Sequence, residues 1–106
     1  MIITTSDEIP GKKIVRTLGL VKGNTVRSRH VGVDFMAFLR NIVGGEVPGY
    51  TKMLAEAREQ SLDRMVAEAE ALGANAIVTL RFTANSIMGS TAELLAYGTA
   101  VIIKDE

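Results

Sequence analysis

The sequence predicts a single α+β domain: an antiparallel sheet drawn from both ends of the chain, with one short and one long helix between them. Three observations predict it. At 106 residues, 47% hydrophobic and 23% charged, the chain has the size and composition of one packed domain, not of two domains or a disordered polymer. Composition also shifts twice: β-branched residues and Gly dominate residues 2–33, Ala, Glu, Met and Leu dominate 35–72, and β-branched residues return over 76–103. Finally, the last segment is apolar on both of its alternating sides, which bears on assembly.

Ile2, Ile3 and Thr4 form a short β-branched stretch ended by Ser6, Asp7 and the turn-forming Pro10-Gly11, so a brief first strand is expected. Residues 12–29 are rich in Val, Ile, Leu and Thr but interrupted by Gly19 and by Gly23-Asn24. They read as one long bulged strand or as a hairpin turning at Gly23-Asn24, and the bulged strand is preferred. From Val33 the period changes. Phe35, Phe38, Leu39 and Ile42 fall at helical spacing, Asp34 is placed to cap the first turn, and Gly44-Gly45 ends a helix of about three turns.

Pro48, suited to a first turn, and Thr51, a candidate cap, open a second helix. Tyr50, Leu54, Ala57, Ser61, Met65, Ala69 and Leu72 make one stripe, widened by Met53, Leu62 and Val66, while Lys52, Glu56, Glu59, Asp63, Arg64 and Glu68 lie mainly opposite. Gly73 reads as the left-handed terminator. Residues 76–85 and 92–104 then form an antiparallel pair joined around Ser86 to Ser90, with Met88-Gly89 at the turn.

In the last strand Leu94, Ala96, Gly98, Ala100 and Ile102 alternate with Leu95, Tyr97, Thr99, Val101 and Ile103. A small sheet with helices on one side should be polar on its other side, which meets water. The preceding strand is mixed, with Ala76, Val78, Leu80, Phe82 and Ala84 alternating with Ile77, Thr79, Arg81, Thr83 and Asn85. Two helices are too little material for both faces. A homo-oligomer is expected, with sheets as the inner layer and helices outside; the alternative is a monomer whose helices divide between the two faces.

Bulk properties exclude several classes. Twelve Lys and Arg balance twelve Asp and Glu, so nothing in the net charge calls for nucleic acid or an anionic membrane. No window approaches the roughly 18 apolar residues of a membrane helix, and the N-terminus lacks a signal-peptide pattern, so a cytoplasmic protein is expected. The absence of Cys removes disulfides, thiolate metal sites and cysteine catalysis.

The segments RNIVGG from Arg40, LGANA from Leu72 and YGTAV from Tyr97, with Tyr50 opening the long helix, resemble the YbjQ-like family of small bacterial and archaeal proteins over nearly the whole chain. The resemblance implies a dodecin-subunit-like α+β fold in a closed ring, a pentamer, with a β inner layer and an α outer shell. The family is commonly labelled heavy-metal-binding, and no reaction is attached to it.

The residues give that label little chemistry, since soft metals prefer thiolates or several imidazoles and this chain has no Cys and one His. His30 and Asp34 are the candidate ligands, and a site would need others from a neighbouring subunit. Arg27, Arg29 and His30 sit close together before the first helix, with Arg16 and Arg81 on strands, so a ring could gather guanidinium groups around a small anionic ligand in an intersubunit pocket, with Arg27, Arg29 and Arg81 as the candidates; the plainer reading is solvated charges or ion pairs with Asp34, Glu46 or Glu93. Gly44-Gly45 lacks the rest of a phosphate loop and is explained by helix termination. Ser28 and His30 have no third partner to complete a catalytic set, the acidic helix residues read as a solvated face, and Met53 and Met65 read as core fillers. The residues name no cofactor. A non-enzymatic ring that binds a small ligand, by fold-level analogy with flavin-binding dodecins, leads over a metal binder and over an enzyme with an intersubunit site.

Overall fold

The computed structural model describes residues 1–28, 48–87 and 91–106. The β-rich ends form four strands, β1 (Ile2–Ile3), β2 (Lys12–Ser28), β3 (Ala76–Ile87) and β4 (Thr91–Asp105), in the order β1-β3-β4-β2. Strands β3 and β4, and β4 and β2, pair antiparallel, as expected. β1 pairs parallel to β3, Ile2 against Ala76 and Ile3 against Ile77, so the sheet is mixed and not wholly antiparallel. The expected short helix after Val33 and the turn at Met88-Gly89 lie outside the described residues.

β2 is one continuous strand. Its register slips between Ile14 and Arg16 and between Thr17 and Gly19, where Gly19 takes a φ of 123°. These are the bulges that Gly19 announced. Gly23-Asn24 is no turn: Gly23 pairs with Ala96 in mid-strand. Its missing side chain serves the helix instead. A Cβ there would fall 2.5 Å from the Met65 amide nitrogen, 2.8 Å from Arg64 Cβ and closer still to the Ser61 carbonyl, so only glycine lets the helix backbone lie directly on the strand.

That helix, α1 (Pro48–Ala71), starts at the proline, which leaves Thr51 inside the first turn and not at the cap. Ala57, Ser61, Met65 and Ala69 are buried, and Met65 and Ala69 join Val21, Ile77, Ala96 and Ala100 in the main core. Leu72 departs from the stripe and is 47% exposed, because the helix has ended and the chain is already turning away. Gly73, at φ 86°, completes a Schellman cap: its amide bonds the Glu70 carbonyl at 2.9 Å and that of Ala74 bonds Ala69 at 3.1 Å. Asn75 then stitches the connection to β4, its amide group exchanging two hydrogen bonds with the Ile103 backbone at 3.0 and 2.8 Å.

The alternation expected for β3 is wrong beyond Val78. Between the pairs Val78–Thr99 and Arg81–Tyr97, two residues, Thr79 and Leu80, oppose the single Gly98, and Thr79 sits in this bulge at φ 58°. A bulge exchanges faces, so Phe82 and Ala84 share the helix side with Ile77, while Arg81, Thr83 and Asn85 join Ala76 and Val78 opposite. The bulge is possible because β4 offers Gly98 there, where a Cβ would meet Ile77 Cγ2 at 2.8 Å.

The face away from α1 is partly covered, by a device that composition did not suggest. The N-terminal segment folds over one end: Ile9 packs on a second cluster of Ala76, Val78, Val101 and Ile103, and Thr4 and Ser6 carbonyls accept from the Leu80 and Thr79 amides at 3.0 and 2.9 Å. Leu20, 65% exposed, and Val26, 53% exposed, stand on that face beyond its reach.

Candidate functional site

Arg27 and Arg81 are held by different parts of the fold. Arg27 pairs with Ala92 on the helix side, where its Nη2 donates to Gln60 Oε1 of α1 at 2.9 Å. It borders a shallow groove whose remaining wall is Ala55, Glu56, Glu59, Gln60 and Asp63. The helix spacing that reads as a solvated acidic face thus places three carboxylates beside one guanidinium. Arg81 lies on the other face, its Nη1 donating to the Thr5 and Leu80 carbonyls at 2.8 Å each. Within one chain the two arginines do not converge. Arg29, His30 and Asp34 lie outside the described residues.

The bulge at Thr79 sets the surroundings of Arg81. It aligns Arg81 with Tyr97; the β2–β4 register separately sets Lys22 against Tyr97 on the far side, so that a half-buried aromatic residue stands between two cationic ones. Neither Lys22 nor Tyr97 was distinguishable from the sequence alone, because a positive φ at a threonine has no local signal. Glu93, on the same face, accepts from Asn24 Nδ2 at 3.4 Å.

Among the described residues the buried polar side chains are Thr25 and Ser61. Ser61 Oγ lies 3.0 Å from the Leu94 carbonyl and 2.8 Å from Thr25 Oγ1; with one proton it donates to the carbonyl and accepts from the threonine. At the sheet's end the Lys12 ammonium bonds the Asp105 carboxylate, and this hydrogen bond, reinforced by the lysine charge, holds the carboxyl below its ordinary range.

Among the described residues no three His, Cys, Asp or Glu side chains are grouped to hold a metal ion. With no Cys and a single His in the whole sequence, the donor set described does not fit a heavy-metal centre. No helix among these residues is long and apolar enough to cross a membrane.

Comparison with known proteins places this architecture. The crystal structure of a protein of unknown function from Pediococcus pentosaceus, which belongs to the DUF74 family, matches with a TM-score of 0.67 at 16% identity over 98% of each chain, a likeness of fold. The UPF0145 protein of Dehalococcoides mccartyi strain BAV1 is 53% identical over 104 residues, which are 98% of this chain and 100% of that one. Its counterpart in Pyrococcus abyssi is 54% identical over 106 residues, 100% of this chain and 93% of its own. The family model described as "Putative heavy-metal-binding", YbjQ-like, matches residues 1–104. The chain therefore belongs to the YbjQ-like family of UPF0145 proteins.

Proposed function

We propose that this protein is a non-enzymatic, ring-forming homo-oligomer of the cytoplasm, a dodecin-like pentamer with sheets inside and helices outside, that binds a small anionic ligand between subunits. The observation that carries the reading is the sheet face turned away from α1. Leu20 and Val26 on that face are 65% and 53% exposed, on strands that continue past the cover of Ile9. A helix of 24 residues is about 36 Å long at 1.5 Å per residue, against 58 Å for the long axis of the structure, so α1 cannot cover even one face from end to end. Apolar sheet surface left over in this way favours association.

Metal binding, the reading in the family description, needs donors that the described residues do not group. Native mass spectrometry under gentle conditions separates the two. The proposal predicts a closed oligomer of several identical subunits, carrying extra small-molecule mass and unchanged by added zinc. A bare monomer overturns the ring, and stoichiometric zinc per subunit transfers the case to metal.

A further inference from the structure

We infer that Lys22, Tyr97 and Arg81 form a recognition row for a planar aromatic acid, with the ring of the ligand on Tyr97 and its anionic group at the flanking cations. The inference deepens the ligand reading above and rests on it for the space in which a ligand would be enclosed.

Register makes the row. Lys22 of β2 and Arg81 of β3 are each the direct partner of Tyr97 on β4. Directly opposed residues project to the same face about 5 Å apart, so the three side chains rise in a line about 10 Å across. The fold accepts strain to put Arg81 there. Thr79 is β-branched and held at φ 58°, a conformation that side chains branched at Cβ disfavour, and a regular strand would have sent Arg81 to the helix side. Its guanidinium is then steadied through Nη1 by the Thr5 and Leu80 carbonyls. Anchored by backbone oxygens, it has no carboxylate partner among the described residues.

Among the described residues no carboxylate neighbours the Lys22 and Arg81 pair in register. The rows on either side are Leu20, Thr99 and Val78, and Asn24, Leu95 and Thr83, all neutral. Of the acids on this face among the described residues, Glu93 lies four residues along β4 from Tyr97, about 13 Å at 3.3 Å per residue, and is engaged by Asn24, while Asp105 stands farther along the strand and is engaged by Lys12. Two cations beside a half-buried aromatic ring, on a face with exposed leucine and valine, suit a ligand that is flat, apolar in its ring and negative at its edge. Enclosed between subunits without an anion, the pair would be costly to desolvate. An arginine and a lysine attract the acid while the phenol ring supplies a stacking surface.

The test uses 2-naphthoate as probe, titrated calorimetrically into the intact protein, with 2-naphthol (ring without charge at neutral pH) and acetate (charge without ring) as controls. Native mass spectra of the same samples report assembly. The row predicts that naphthoate binds at least tenfold more tightly than either control, that Arg81→Gln and Tyr97→Leu each weaken it about tenfold, and that Tyr97→Phe and Lys104→Gln leave it unchanged. Because Arg81 also holds the N-terminal segment, Lys22→Gln, expected to weaken binding several-fold, keeps the test independent of that contact. Equal binding of naphthol, indifference to Lys22→Gln and Arg81→Gln, or loss of assembly in those variants without any naphthoate binding overturns the row. Binding to a monomer would refute the ring and keep the row; an intact ring that ignores naphthoate would do the reverse.

Discussion

Beneath α1 the sheet is paved with small residues, Gly23, Ala96, Gly98 and Ala100, whereas the same strands present Leu20, Lys22, Tyr97 and Val101 to the opposite side. The first face brings a helix backbone into contact with a strand backbone at Gly23, where an added carbon would collide with α1, and at Gly98 an added carbon would collide with Ile77. The second keeps full side chains and receives a thin cover at one end, from Ile9. Side-chain size, more than polarity, distinguishes a face built for close packing inside the chain from one with material left over. Both faces are apolar in β4, and only their sizes say which one is finished.

Substitutions can break this contrast. The largest effect is expected at Gly23→Val, where backbone atoms of Ser61 and Met65 cannot yield; a loss of at least about 3 kcal/mol in chemical denaturation is predicted. Met65→Ala, which empties the centre of the same interface, should cost about 2–5 kcal/mol with the fold retained. Ser61→Ala removes the bonds to Thr25 and the Leu94 carbonyl and should cost about 1–2 kcal/mol by the same measurement. On the other face, Leu20→Lys combined with Val26→Lys should change unfolding of the isolated chain by less than about 1 kcal/mol, since both side chains are exposed, while weakening any assembly through that face.

The smallest effect belongs to the Lys12–Asp105 pair. Asp105 is held below its usual range in the folded chain, so its contribution is complete above the unfolded value, about 3.9, and is lost as pH falls through the lower folded value. Asp105→Asn should lower Tm slightly at pH 7, and the difference from the wild type should shrink as pH falls through the lowered folded value; with the aspartate side chain 82% exposed, the difference should also fade in high salt.

Much of the fold was legible because its signals are periodic or conformational. The α1 stripe, the Gly73 terminator and the β3–β4 pairing follow from 3.6-residue spacing, a glycine where φ must be positive, and β-branched runs. At Gly23-Asn24 the preferred reading of one bulged strand held over the hairpin, but what the glycine is for was not legible, since a glycine that admits a helix looks the same as one that admits a turn. The face exchange at Thr79 was illegible, because the strain is held by distant partners: Gly98 on β4 and the Thr4 and Ser6 carbonyls. The candidate site suffered most from this. Arg27 and Arg81, grouped by charge, stand on opposite faces, and the neighbours of Arg81 became visible only once the register was known. The Ile9 cover was hidden for a related reason, since eleven residues of loop and short strand carry no period to read.

The account turns on the sheet face that α1 does not touch. The most direct test is light scattering coupled to size-exclusion chromatography on the wild type and on the Leu20→Lys, Val26→Lys variant at matched concentrations. A closed multi-subunit mass for the wild type, falling to that of the 11.4 kDa chain in a variant with an unchanged circular dichroism spectrum, is the predicted result. A monomeric wild type, or a variant that assembles as well as the wild type, would contradict it.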